Sequence, residues 1–172
     1  MQTVDNQHVW SLNTWCGILG TQIIGPYFFE GHLNGQMYRD FLQNELPLLL
    51  DDVPLDIRNN MVFQQDGAPA HYSAQVRAEL DRMFPQRWIG RGSQLRPWPA
   101  RSPDLTPLDF YPWGKVKDEA YFNRPESREE MKQKIKDICA NVPASELNAV
   151  DRNFRRRLQK CIDQQGGIFE HI

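Results

Sequence analysis

Gln64-Gln65-Asp66-Gly67-Ala68-Pro69-Ala70-His71 and Ser102-Pro103-Asp104-Leu105-Thr106-Pro107-Leu108-Asp109-Phe110 are the two stretches on which the reading of this chain turns. Each sets a carboxylate at a junction between regular elements. Met61 to Gln65 is a short, largely apolar run that reads as a strand, with Asp66 at its C-terminal end. Gly67 to Ala70 forms a turn of small residues, which leaves Asp66 unobstructed and open to close approach by a bulky polymer backbone. A helix from about Tyr72 to Met83 follows, with Val76, Leu80 and Met83 on one face. Arg87-Trp88-Ile89 reads as another short strand, and Gly90 to Arg101 as a Gly/Pro/Arg loop. Thr106-Pro107 opens a helix, threonine as N-cap and proline at the first helical position, and Asp109 stands three residues after the cap. A sheet-based metal site gathers acids far apart in sequence from such strand ends and helix starts.

Outward from these motifs the pattern is that of an α/β fold. Residues 8–19 alternate and carry bulky side chains, which predicts a strand; Gly20-Thr21-Gln22 turns it into an antiparallel partner from Ile23 to Phe29, with Gly25-Pro26 marking an edge or bulge. Asn34 caps a helix through about Leu50, with Met37, Phe41, Leu42 and Leu46 on one face and Pro47 distorting or ending its last turn. Asp51 to Pro54 starts a linking segment. Two helices close the chain, from about Ser127 to Val142 and from about Glu146 to Asp163.

Composition bounds the function classes. The 172 residues suit one ordinary domain with 40% hydrophobic and 24% charged residues, globular values. The longest apolar run, Leu46 to Leu50, is too short for a bilayer and is interrupted by Pro47, and the first residues do not form a secretory signal. Cys16, Cys139 and Cys161 fit no zinc or disulfide spacing and read as reduced thiols, Cys16 in the core. The net charge of −2 conceals a polarity: residues 1–81 hold three Arg and ten Asp/Glu, whereas residues 82–172 hold seventeen Lys/Arg and twelve Asp/Glu. From Arg82 to Arg101 there are five arginines and no acid. A local basic face binds phosphates whatever the total charge.

The order, wording and spacing of the two carboxylate motifs resemble the catalytic core of mariner-like (Tc/mariner) transposases of the DDE/D superfamily. Trp15-Cys16-Gly17-Ile18, Gly25-Pro26-Tyr27-Phe28-Phe29, Trp113-Gly114 and Gly166-Gly167-Ile168-Phe169-Glu170 extend the resemblance over nearly the whole chain. It implies a ribonuclease H-like fold, a mixed five-stranded sheet flanked by helices, carrying a cut-and-paste DNA transposase site. Asp66 and Asp109 are then the catalytic carboxylates and ligands for Mg²⁺ (or Mn²⁺), and Asp104 caps the preceding turn. Hard oxygen donors suit such ions, which stabilise charge on the phosphate and leaving oxygens. The implied partners are DNA and a second copy of the chain in a homodimer, with no membrane or small-molecule substrate, and the implied compartment is the nucleus.

Two departures from the family pattern bear on activity. The first catalytic Asp of the family lies on a central strand well before the segment matching His8–Leu19. The expectation is therefore one domain over 1–172, N-terminally truncated, lacking that first strand and the helix-turn-helix region, and inactive as it stands. Asp5 is a poor replacement, three residues before the strand. Pro112, in the first two turns of the Asp109 helix, deletes a backbone hydrogen bond there. The rival reading is a domesticated, non-catalytic DNA- or protein-interaction module.

His71, Arg91, Arg96 and Arg101 are candidate DNA contacts; His71 reads equally as an outer-shell group or a packing residue at the helix start, and Trp88 and Trp98, interleaved with the arginines, read equally as stacking partners or as core residues beneath a solvated loop. The cluster Arg152, Arg155, Arg156, Arg157 and Lys160 reads as a solvated helix face. Replacing Arg91, Arg96 and Arg101 together with Ala is expected to weaken duplex DNA binding. The slope of log affinity on log salt should flatten by about two to three units, at roughly 0.9 per phosphate contact, as read by fluorescence anisotropy.

Overall fold

The computed structural model describes residues 12–94, 96–97, 105–110 and 125–164, with backbone alone at 96, 97, 109 and 110. Bulky, alternating residues pair as a hairpin of β1 (Asn13–Leu19) and β2 (Gln22–Phe29), antiparallel from Leu19↔Gln22 to Asn13↔Phe29. The register shifts between Trp15 and Gly17, where Cys16 falls out of the ladder opposite Gly25 and Pro26, whose peptide bond is cis. The bulge expected at Gly25-Pro26 is therefore present, with the extra residue on β2. Leu12 precedes β1, and residues 8–11 of the predicted strand lie outside the described residues.

Asn34 caps α1 (Gly35–Asp40), its side chain accepting the Met37 N–H at 3.0 Å. The helix continues through a π turn (Phe41–Glu45) into α2 (Leu46–Leu49). Proline distorts the helix as expected, but a turn earlier than its own position. Pro47 has no N–H and its ring crowds the carbonyl four residues back, at Gln43, so the turn that widens is the one holding that carbonyl. After Pro54 comes α3 (Leu55–Asn60), in a segment the sequence presents as a linker. No residue of α3 is buried, and Leu55 and Ile57 are exposed, so no apolar periodicity marks it.

A second sheet is parallel: β3 (Phe63–Gln64) pairs with β4 (Trp88–Gly90), and β4 pairs with β5 (Arg96–Pro97). β5 falls within the stretch predicted as loop; two residues, one of them proline, carry no strand signal. Between β3 and β4 runs α4 (Ala74–Met83). It starts two residues later than the apolar spacing suggests, because Ser73 is its cap and accepts the Val76 N–H at 3.4 Å. α5 (Pro107–Phe110) begins at the expected proline. α6 (Arg128–Ala140), capped by Ser127, and α7 (Ala144–Asp163) complete the described chain within about two residues of the predicted bounds.

Among the described residues no ladder joins the two sheets; helices do. Tyr38, Phe41, Leu42 and Leu46 of the first helix meet Val76 and Leu80 of α4 and Trp88 of β4, all at 1% exposure or less. Trp15, Tyr27 and Phe29 of the hairpin bring their rings within 4.8, 4.9 and 5.4 Å of Phe41. Each such buried side chain contributes about 1.5–3 kcal/mol relative to exposure. Trp88 keeps its one polar atom satisfied, Nε1 donating to Asp81 at 2.7 Å. On the other face of the hairpin, Met131 and Ile135 of α6 pack with Leu12 and Phe28. Arg128 and Lys132 pin that helix to Glu30 at 3.2 and 3.0 Å. The Cys16 thiol, buried in β1, lies 3.8 Å from that of Cys139 on α6, and this neighbour together with burial pushes the Cys16 thiol up.

Leu80→Ala is expected to destabilise the fold by about 2–5 kcal/mol in urea unfolding, since the cavity left at zero exposure cannot fill with solvent. Leu55→Ala, at a position 63% exposed, should change stability by no more than about 0.5 kcal/mol.

Candidate metal and nucleic-acid site

Asp66 is carried to its position by the parallel ladder. Gln65 N–H still bonds Ile89 carbonyl at 3.0 Å, so the chain leaves the sheet one residue before the carboxylate. The turn that follows is closed twice: His71 N–H donates to Ala68 carbonyl at 2.9 Å, and Gln65 Nε2 donates to His71 carbonyl at 2.9 Å. This geometry returns the His71 side chain toward Asp66, within the turn before α4.

The Asp66 carboxylate is oriented through one oxygen. Oδ1 accepts the Ala68 N–H at 3.1 Å and His71 Nδ1 at 2.5 Å; none of the described residues bonds Oδ2. The hydrogen bond from His71 holds the Asp66 carboxyl below the usual carboxylate range, with the Ala68 N–H adding to the effect and partial burial opposing it. His71 is itself positioned by the core, its ring 4.2 Å from that of the fully buried Tyr38.

The second motif reaches the same place. Thr106, Pro107 and Leu108 line a cavity of about 650 Å³ together with Asp66, Ala68 and His71. Asp109 follows Leu108 on α5, and its side chain lies outside the described residues. The cavity continues between Trp15–Leu19 of the hairpin and Met61–Gln65 leading to Asp66, so it occupies the space between the two sheets. Among the described residues no three acidic, histidine or cysteine side chains converge. Asp5, Asp104 and Pro112 lie outside the described residues.

The basic loop is only partly what its composition suggests. Arg82 is bound to Glu79, and Arg87 donates to the carbonyls of Arg58 and Met61 at 3.2 Å each. Trp88 is core, at 1% exposure, and cannot stack on a base. Arg91 is exposed and lies over the ring of Tyr72, 4.1 Å from its centroid, and Arg77 lies over the same ring at 4.9 Å. The Arg96 and Arg101 side chains and Trp98 are outside the described residues. Tyr72 and Arg77 had no sequence signal, because they meet Arg91 only once β4 is laid beside β3.

No family model matches the sequence. The chain is 30% identical to the Tc3 transposase of Caenorhabditis elegans over 141 residues, which cover 81% of this chain and 39% of that protein. It is 24% identical to the Tcb2 transposase of Caenorhabditis briggsae over 156 residues, 91% of this chain and 53% of that one. Its homologues are Tc1/mariner transposases. The chain spans about half the length, or less, of these transposases. Its fold matches the Mos1 transposase catalytic domain at a TM-score of 0.74, with 20% identity, over 92% of this chain and 82% of that one. It also matches the Mos1 mariner paired end complex with Mn at a TM-score of 0.73, with 23% identity, over 88% of this chain and 43% of that one. The mixed α/β arrangement is thus the ribonuclease H-like fold of the mariner catalytic domain.

The Asp66–His71 contact predicts a pH signature. Asp66 titrates below its ordinary value of 3.8, so its ionised form contributes stability that is present above about pH 4 and lost as pH falls through the folded value. At 42% side-chain exposure that contribution is screened and small. Carboxyl-carbon NMR should find the Asp66 midpoint depressed, and His71→Ala should return it toward the ordinary range. An unchanged midpoint in the variant would remove His71 as its cause.

Proposed function

We propose that this chain carries part of a transposase-type metal site, with Asp66 and Asp109 as carboxylate ligands and DNA as its partner. The observation that carries this reading is the shared cavity: the turn after Asp66 and the helix start before Asp109 line the same space. The donor chemistry fits a hard divalent cation. Asp66 presents an Oδ2 that none of the described residues bonds, in a turn of small residues, and the proposed second donor is also a carboxylate, the ligand type that Mg²⁺ and Mn²⁺ prefer over nitrogen or sulfur. The Mos1 structures with Mn and with Mg support the same choice of ions. A cation bound there would stabilise the charge that develops on phosphate oxygens during attack on a phosphodiester.

The chain's own residues do the positioning. His71 holds Oδ1 of Asp66 and so orients Oδ2, in the way that hydrogen bonds behind a ligand commonly fix its direction. His71 is therefore an orienting group in this reading, and its low exposure argues against a direct DNA contact. The small side chains of Gly67, Ala68 and Ala70 leave room for a sugar–phosphate backbone over the carboxylate. Two carboxylates clamp a pair of cations poorly, so strand transfer needs a third from outside the described residues. DNA binding with weak metal occupancy, in the nucleus and as a homodimer on DNA, is the function proposed for these 172 residues.

Manganese titration followed by NMR should broaden the resonances of residues 65–71 selectively, and Asp66→Asn should abolish this. Broadening that persists in the variant would remove Asp66 as a ligand. Assays with transposon-end duplexes in Mg²⁺ or Mn²⁺ are expected to show binding without strand transfer. Robust nicking lost in Asp66→Asn would instead establish a complete active site in this chain.

A further inference from the structure

We infer that Tyr72, Arg77 and Arg91 form a phosphate clamp that holds the backbone of a DNA strand beside Asp66. This rests on the DNA-binding reading above and names the surface that does the holding. Tyr72 sits in the same turn as His71, its N–H bonded to Pro69 carbonyl at 3.4 Å, so its backbone is tied to the turn that carries Asp66. Arg77 rises from the first turns of α4, and Arg91 follows β4. Their guanidinium carbons lie 4.9 and 4.1 Å from the centroid of the one ring. Arg91 also runs alongside the Asp66 turn: its Cδ is 3.6 Å from where a Cβ on Gly67 would stand.

The cluster is built rather than incidental. Gly92, at φ +83, closes it; a Cβ there would come 2.7 Å from Arg77 Cδ and 3.1 Å from Tyr72 Cε2. Only glycine lets the loop pass this close. Among the described residues neither guanidinium has a carboxylate within ion-pair distance, whereas Arg82 and Arg155 have theirs. Among the described residues the buried Arg77 Nε has no hydrogen-bond partner. Two like charges on one ring repel, and a cation–π contact at an exposed site returns only about 0.5–1 kcal/mol. An anion accepting from both guanidinium groups relieves the repulsion.

The ligand class follows from what the ring offers. Guanidinium groups lie over Tyr72, so it is poorly placed to serve as a platform for an unpaired base. Recognition is then of the phosphodiester backbone and independent of sequence. The position makes chemical sense, since a carboxylate centre repels a polyanion unless cations flank it.

The test measures binding of the full chain to labelled duplexes of two unrelated sequences by fluorescence anisotropy across a salt series. Arg77→Gln/Arg91→Gln should weaken both complexes alike and flatten the log affinity–log salt slope by about 1.8, at roughly 0.9 per phosphate contact. Exposed Arg91→Gln alone should flatten it by about 0.9 without disturbing the fold. Tyr72→Leu keeps both charges and should weaken binding with little change of slope. Arg155→Gln/Arg156→Gln on α7 is the comparison and should alter the slope less than the double variant. If the Arg91 and double variants keep the wild-type slope while the wild-type chain binds, the clamp is wrong and the DNA reading stands. If the wild-type chain binds neither duplex at low salt, both fail. Inorganic phosphate competing at millimolar concentration against wild type but not against the double variant would support the same anion site without DNA.

Discussion

Burial of Tyr38 is the constraint from which the candidate site hangs. The residue is fully buried between the aromatic layer of the hairpin and α4, and its ring faces Phe29 and Phe41 on one side and His71 on another. A side chain locked in a close-packed core has one rotamer and transmits its position to whatever it touches. Here it touches the imidazole that bonds Asp66. The carboxylate is thus positioned by a chain of contacts running from the hydrophobic core through two rings to one oxygen, while none of the described residues bonds the other. In the turn itself only Ala70 is buried, so the rings of Tyr38 and His71 supply the larger packing surface.

The same core explains why two short sheets form one fold without sharing a ladder among the described residues. Phe41 gathers Trp15, Tyr27 and Phe29 from the hairpin, while Leu42, Leu46 and Tyr38 meet Val76, Leu80 and Trp88. The edges of β1 and β3 that no described strand pairs border the cavity that Asp66 lines. The space beside the carboxylate is therefore lined by the apolar side chains of Ile18, Ile24, Leu46 and Phe63 as well as by the Asp66 turn. The arrangement is consistent with the match to mariner catalytic domains, where the similarity is one of fold.

Electrostatically, the cations divide into those spent on structure and those left open. Arg87 satisfies backbone carbonyls, Arg82 covers a buried Glu79, and Arg128 and Lys132 tie α6 to Glu30. Arg77 and Arg91 are tied to none of these and stand over Tyr72 next to the Asp66 turn. Net charge alone, at −2, would have pointed away from a nucleic-acid partner. What matters is where unpaired charge collects, and that is local.

Much of the fold was legible along the chain because its signals are local. Asn34, Ser127 and the Thr106-Pro107 pair mark helix starts through short-range hydrogen bonds and backbone preference, and apolar spacing marks the buried faces of α4, α6 and α7. The two carboxylates were singled out by the small or turn-forming residues around them, also a local signal. Other features depended on contacts between distant segments. The solvent-exposed α3 and the two-residue β5 carry no periodicity, and the π turn appears where Pro47 strains a carbonyl four residues back. Trp88 could be a stacking aromatic or a core residue along the chain, and its burial settles it as core; Tyr72 and Arg77 became partners of Arg91 only through the parallel crossover. The sequence by itself determined which residues have carboxylate, guanidinium or aromatic chemistry and which elements carry them. Only the tertiary structure decided which of them share a surface, because burial and close approach across long sequence separations are properties of the packed core and of no single segment.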